Sequence, residues 1–235
     1  VMFGLVPERY GHRGGPVSLA TYFAMARGSR EATACEMTKW FNTNYHYIVP
    51  EMDAARPELV ENRPLQAYCE AKERLGIEGK PVIVGPYTFL KLSKGYTAER
   101  FPALLEDLVS VYGKLLSQLQ EAGVQWVQVD EPCLATDVAK GELSLFAAVY
   151  EELHRAAPRL HLLLQTYFAA VDSLEELLQL PVKGMGLDFV HGLEGNLQAL
   201  RRWGFPQDKW LAAGVIDGRN VWRAHLGEKL ELLEA

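Results

Sequence analysis

The sequence predicts an α/β protein with a parallel sheet, closest in pattern to a (β/α)8 barrel, and three observations carry that expectation. Short apolar runs alternate with longer stretches of helical periodicity along most of the 235 residues. Several of those runs are apolar on consecutive positions, as in strands covered by helices on their faces. Polar residues collect just after them, at Asp130-Glu131, Thr166-Tyr167, His191-Gly192 and Asp217 to Asn220. A barrel, typically about 250 residues long, builds its sites on that C-terminal rim. No Gly-x-Gly-x-x-Gly follows the first strand and no Gly-x-x-x-x-Gly-Lys-Ser/Thr occurs, so dinucleotide and P-loop readings are weak.

The elements follow in order. Leu19, Tyr22 and Phe23 lie on one helical face, and Glu31 to Cys35 reads as a second, short helical stretch. The next stretch, Glu36 to Glu51, is dense in aromatics and amides. It fits a strand near Cys35 to Phe41 or one near Asn44 to Val49, and periodicity does not choose between them. Pro81 to Gly85 is a β-branched run. Ala98 to Gly123 is a long helix, with Phe101, Leu104, Leu105, Leu108, Tyr112, Leu115 and Leu119 at helical spacing and Gly123 as its stop. Val124 to Val129 is a strand, followed by a helix through Leu143, Phe146, Val149, Tyr150 and Leu153 that Pro158 ends. Leu160 to Gln165 is the next strand, and Ser173-Leu-Glu-Glu176 reads as a capping box opening a short helix that Pro181 closes. Gly184 to Val190 and Trp210 to Ile216 are strands on either side of a helix from Asn196 to Trp203. Leu226, Leu230 and Leu233 mark a last helix. Composition does not shift along the way, which predicts one domain.

The balance of charge excludes some classes. With 24 basic against 30 acidic side chains the net charge is −6, and no basic stripe suits nucleic acid. No apolar run approaches the roughly 20 residues of a membrane helix, and no signal peptide opens the chain. Val1 in place of methionine suggests a beginning that lies upstream. Cys35, Cys69 and Cys133 are odd in number and widely spaced, which fits three reduced thiols in a cytoplasmic protein better than a disulfide framework or a zinc site.

Few residues carry chemistry on local grounds. Asp130-Glu131-Pro132 follows a strand, and a carboxylate there could act as a base or orient a substrate amine or hydroxyl. Neighbouring strand residues point to opposite sides, so Asp130 and Glu131 cannot serve one ligand together; the plainer reading is a carboxylate that hydrogen-bonds rim backbone or pairs with an arginine. A glycosidase pair, roughly 5 to 10 Å apart, could be drawn between either of them and Asp188, Asp217 or Glu51, but no spacing selects one. The six histidines show no metal-ligand spacing, and Cys133 has no second thiol or imidazole near it in sequence. Lys39 stands out: it is a cation beside two aromatics, Trp40 and Phe41, and two amides, Asn42 and Asn44, with His46 close by. That mixture suits an aromatic ligand bearing carboxylates, against the plainer reading of a lysine snorkelling over packed rings.

The same residues carry a resemblance. Glu36-Met-Thr-Lys-Trp-Phe-Asn-Thr-Asn-Tyr-His-Tyr-Ile-Val-Pro-Glu51 resembles a signature stretch of cobalamin-independent methionine synthases. Lys80 to Leu90, Trp126 to Pro132, Leu162 to Phe168, Asp188 to Gly192 and Ala213 to Arg223 are similar to further stretches of that family, in the same order. The resemblance implies the N-terminal one of two (β/α)8 barrels, spanning residues 1–235 and incomplete, lacking N-terminal strand material and at least one C-terminal strand. It implies a parent methyltransferase that moves a methyl group from 5-methyltetrahydropteroyltriglutamate to homocysteine, without cobalamin. The family's zinc belongs to the C-terminal barrel, and none is expected here, because the strand similar to the zinc-bearing one reads His161-Leu-Leu-Leu-Gln-Thr-Tyr167. Lys39 is implied to bind the folate polyglutamate tail and to end a strand at the rim, with 42–50 crossing the top. Asn42, Asn44, His46 and Asp130 are further rim candidates, and no residue of this chain is expected to be catalytic. The implied partners are the folate and the C-terminal catalytic barrel of the same protein. Two rivals are a single-barrel enzyme like uroporphyrinogen decarboxylase, which shares a Gly-Pro-x-Thr strand ending, and a barrel that only binds.

Overall fold

Along the chain run α1 (Leu19–Arg27), β1 (Met37–Lys39), β2 (His46–Ile48), α2 (Arg63–Leu75), β3 (Val82–Val84), α3 (Pro86–Lys91), α4 (Phe101–Glu121), β4 (Trp126–Asp130), α5 (Lys140–Ala156), β5 (His161–Gln165), α6 (Leu174–Leu177), β6 (Gly184–Asp188), α7 (Leu193–Trp203), β7 (Trp210–Gly214) and α8 (Leu226–Glu234). The computed structural model describes every residue except 54, 55, 137, 139 and 235. It comprises two compact units, one of residues 1–79 with 89–123 and one of residues 80–88 with 124–235.

The second unit holds a five-stranded sheet in the order β3-β4-β5-β6-β7, every neighbouring pair parallel. Parallel neighbours need a crossover, and a helix lies between each pair of consecutive strands from β4 onward. Val127, Val129, Leu164, Met185 and Leu187 are wholly buried in the strands, as are Phe146, Tyr150 and Leu153 of α5. The other side of β4 differs, since Gln128 and Asp130 are only partly buried. Val82 on β3 and Trp210 on β7 are 52% and 67% exposed on the two outermost strands. The α/β class with parallel strands is as the sequence predicts. Barrel closure is not seen: the five described strands form an open sheet.

The first unit contains a separate two-stranded antiparallel sheet, β1 with β2. Its core includes Phe3, whose ring lies 5.0 Å from Tyr112 and 5.6 Å from Phe89. Asn62 caps α2 by accepting from the Leu65 amide, and its Nδ2 donates to the Leu115 carbonyl and to Gln118 Oε1. Gly76, at φ 66°, closes that helix in the left-handed conformation.

Several local expectations change. Both candidate strands of the 36–51 stretch exist, each pairing with the other, so residues 42–50 include the turn and second strand of a hairpin. Glu31 to Cys35 is not helical. Leu19, Tyr22 and Phe23 do lie on α1, but they are exposed and Met25 is the buried residue. Ser173 makes no capping bond, and the helix after it has four residues. Periodicity does not announce α2 or α3: only Tyr68 of α2 is buried, so its apolar pattern is faint. Asn62 before Pro64, with Gly76 behind, was the signal available for α2.

Candidate functional site

The β1–β2 hairpin gathers four of the five residues singled out in the sequence. Lys39 ends β1 directly opposite His46, which opens β2, so the two side chains leave the same face. The turn between them is fixed by its own bonds. The Trp40 amide donates to the Tyr45 carbonyl at 2.7 Å, and buried Thr43 donates its hydroxyl to the Trp40 carbonyl at 2.7 Å and accepts from the Tyr45 amide. Phe41 takes a φ of 51° in this turn, and the Trp40 ring meets Phe41 and Tyr47 edge-on at 5.2 and 5.6 Å. Lys39, Asn42, Asn44 and His46 are all exposed around this rigid aromatic base. No carboxylate occurs in the sequence between Glu36 and Glu51. The hairpin face is therefore locally cationic and rich in amide donors, which suits an anion.

At the foot of the hairpin lies a network that sequence reading missed. Arg9 clamps Glu51 with two bonds, Nη1 to Oε2 at 2.7 Å and Nη2 to Oε1 at 2.8 Å. Its Nε donates to the Thr33 carbonyl, and Nη2 also approaches Cys35 Sγ at 3.3 Å. The guanidinium holds the Glu51 carboxyl below its ordinary range, while burial pushes the Cys35 thiol up and keeps it protonated and inert. Arg9 and Glu51 are 42 residues apart, so no local pattern announces the pair. Replacing Arg9 with alanine is expected to lower stability by about 1–2 kcal/mol, since the fork is bidentate but partly solvated. Denaturant unfolding measures this, and an unchanged midpoint would show that the clamp is energetically idle.

Asp130, the fifth candidate, lies in the other unit at the end of β4. It accepts from Gln128 Nε2 at 2.8 Å and from the Tyr167 hydroxyl at 3.3 Å, while Lys80 donates to Gln128 Oε1 at 2.7 Å. Burial raises its pKa against the pull of those two bonds. Glu131 points the other way, as strand alternation requires, and is fully buried. Its carboxylate accepts from the Tyr87 and Thr88 amides at the start of α3, at 3.2 and 2.7 Å. Burial pushes it up to about 7 in spite of those bonds. A Cβ on Gly85 would overlap this carboxylate, so glycine there makes room for it. Glu131 thus pins strand to helix, the plainer of the two roles its position allowed. The glycosidase pairing has no support in the second unit, where Asp188 accepts from the Phe168, Val190 and His191 amides and faces the His191 ring, and Asp217 accepts from the Arg219 amide and Asn220 Nδ2. Among the described residues no group of three or more His, Cys, Asp or Glu side chains is placed to hold a metal ion, and no helix is long and apolar enough to cross a membrane.

Comparison with known proteins decides the family. A family model described as the N-terminal domain of cobalamin-independent synthase matches residues 1–235. The chain belongs to the cobalamin-independent synthase family. Over 233 residues this synthase domain is 58% identical to a protein of Listeria welshimeri, with 99% of this chain and 30% of the relative covered. It is 54% identical to one of Halalkalibacterium halodurans, with 99% and 31% covered, and 54% identical to one of Bacillus cereus, with 98% and 30% covered. All three are named 5-methyltetrahydropteroyltriglutamate–homocysteine methyltransferase. The chain spans about 30% of the length of these relatives. Its fold is similar to that of a B12-independent methionine synthase from Shewanella sp. W3-18-1, with a TM-score of 0.58 at 13% identity, covering 85% of this chain and 76% of the other. A methyltransferase from Methanosarcina mazei gives 0.51 at 15% identity, covering 67% and 54%. The single-barrel decarboxylase reading is not favoured.

Proposed function

We propose that this synthase domain is the folate-tail-binding and scaffolding part of a methyltransferase that carries a methyl group from 5-methyltetrahydropteroyltriglutamate to homocysteine. The observation that carries the reading is the exposed Lys39 on a hairpin face with His46 opposite and no carboxylate in the sequence from 37 to 50. A tail of carboxylates meets an ammonium, an imidazole and the amides of Asn42 and Asn44, on a turn whose shape is set before the ligand arrives. Each charge-assisted contact of this kind contributes about 1.5–3 kcal/mol. Asp130 lies in the other unit and is assigned no part in this contact.

In this reading the homocysteine sulfur is the nucleophile and the N5-methyl carbon the electrophile, and both are handled by the C-terminal barrel of the same protein. Zinc held there supplies thiolate stabilisation, and no cobalamin takes part. The five-stranded sheet is then part of a (β/α)8 barrel, residues 1–235 being a partial N-terminal barrel. The exposure of Val82 and Trp210 on its outer strands supports completion by further strands. The cytoplasm is the compartment that suits the three free thiols.

Lys39→Ala in the full-length enzyme is expected to weaken binding of the triglutamate folate about ten-fold and to leave the monoglutamate nearly unchanged. Equilibrium titration with the two folates tests this. Equal affinities before and after the substitution would remove the tail-binding role.

A further inference from the structure

We propose that the ends of β5, β6 and β7 form a binding site for a small carboxylate, with Arg219 as its cation. The inference does not rest on the role proposed for Lys39. The loops that follow these strands line an open cleft of about 180 Å³ whose walls include Tyr167, Phe168, His191, Ile216, Asp217 and Arg219. That space is well above what a single water needs and admits a small organic acid or one end of a longer one. Ends of parallel strands are where α/β folds place their ligands.

The wall is built to hold a guanidinium in one place. Arg219 Cζ lies 5.1 Å over the Phe168 ring, and Nη2 is 3.0 Å from His191 Nε2. Asp217 fixes the turn beneath it, accepting from the Arg219 amide at 2.9 Å and from Asn220 Nδ2 at 2.6 Å. His191 Nδ1 lies 3.2 Å from Asp188 Oδ2. A guanidinium can only donate and an ionised carboxylate can only accept. The neutral imidazole therefore carries its proton on Nδ1 and turns the Nε2 lone pair to Arg219. Asp188, 8% exposed, also accepts from the Phe168, Val190 and His191 amides, each at 2.8 Å.

Phe168 supplies a second and independent sign. Its φ is 82°, a conformation that costs a non-glycine residue about 1–3 kcal/mol. The bond from its amide to Asp188 holds it there, and the ring is thereby brought under Arg219. Strain spent on aiming a ring at a cation on a cleft wall is understandable if that cation is to be presented to something. A carboxylate matches the planar fork of the guanidinium, and an apolar body fits against Ile216, which is 50% exposed.

A free small acid and the end of a γ-glutamyl chain share this chemistry, so both are tested. The probes are n-butyrate, its neutral isostere butyramide, and tri-γ-L-glutamate, titrated by calorimetry into the full-length protein. With Lys39→Ala as the background, so that any tail contact at the hairpin is removed, butyrate or triglutamate should bind saturably and at least ten-fold more weakly when Arg219→Gln is added, while butyramide should give no saturable heat. Arg219 is exposed, so Arg219→Gln should unfold at the wild-type midpoint, and Arg219→Lys should recover part of the affinity. Saturable butyrate binding would assign the site to a free acid, and saturable triglutamate binding alone to a glutamyl chain. The proposal is overturned if neither acid binds, if Arg219→Gln binds as well as wild type, or if butyramide equals butyrate. Loss of triglutamate binding in Lys39→Ala alone would leave the tail reading standing and remove this one.

Discussion

Replacing Glu131 with alanine is expected to cost about 3–5 kcal/mol of folding free energy. The carboxylate is fully buried, and its two oxygens are the acceptors for the Tyr87 and Thr88 amides. Alanine leaves both N–H groups buried without an acceptor, at about 1–3 kcal/mol each, and opens a cavity behind Gly85. Glu131→Gln keeps one acceptor but turns an NH₂ group toward the second amide, so it should lose about half as much. The titration of Glu131 gives the same group a second signature. Its folded pKa is raised from 4.5 to about 7 because burial penalises the charge. Between those values the folded state holds a proton that the unfolded state has released. Stability from this group is therefore complete below pH 4.5 and declines as pH rises toward 7. Urea midpoints across that window should flatten in Glu131→Gln. A loss under about 1 kcal/mol in Glu131→Ala would show that water takes over the two amides.

Removing Asp188 is expected to have the other large effect, about 3–4 kcal/mol in Asp188→Ala, because three backbone amides and one imidazole N–H converge on it. Phe168 should then relax out of its left-handed conformation, since the bond that offsets the strain is gone. The pH signature has the opposite sign to that of Glu131. Burial pushes the Asp188 carboxyl up, but the amides of His191, Val190 and Phe168 together pull it below its ordinary 3.8. Stability from Asp188 is present above the unfolded value and lost as pH falls through the lower folded one. Acid unfolding should therefore steepen below about pH 4 in wild type and less so in Asp188→Asn. If Asp188→Asn leaves the acid limb unchanged, the carboxylate charge is not what orders the 166–170 and 188–192 loops.

How much of this was legible depends on the distance over which each residue acts. The strand–helix alternation from Val124 onward was legible because β-branched runs and 3.6-residue periodicity are local, and because each helix stands between two parallel strands. Lys39, Asn42, Asn44 and His46 were legible as a chemical group because they are neighbours in sequence. Their geometry was not: two short runs of aromatic and β-branched residues fit a strand equally well, and only pairing with each other makes both of them strands. Arg9 and Glu51 were invisible because an ion pair across 42 residues leaves no mark on either segment. His191 and the Asp217 to Asn220 turn are each legible as polar strand endings, but nothing local joins them through Arg219.

The sequence by itself determined the α/β class, the order of the β4–β7 segment, the family, and which short stretches hold polar chemistry. These follow from spacing and residue type, and a chain carries both before it folds. The tertiary structure alone decided that Lys39 sits on a hairpin and that Glu131 anchors α3 while Asp130 turns to Tyr167. It also decided that Asp188, His191 and Arg219 line one cleft. The physical reason is common to all three: a side chain's role is set by the partner that satisfies its charge or hydrogen bond when water is excluded, and here those partners come from other elements of the fold.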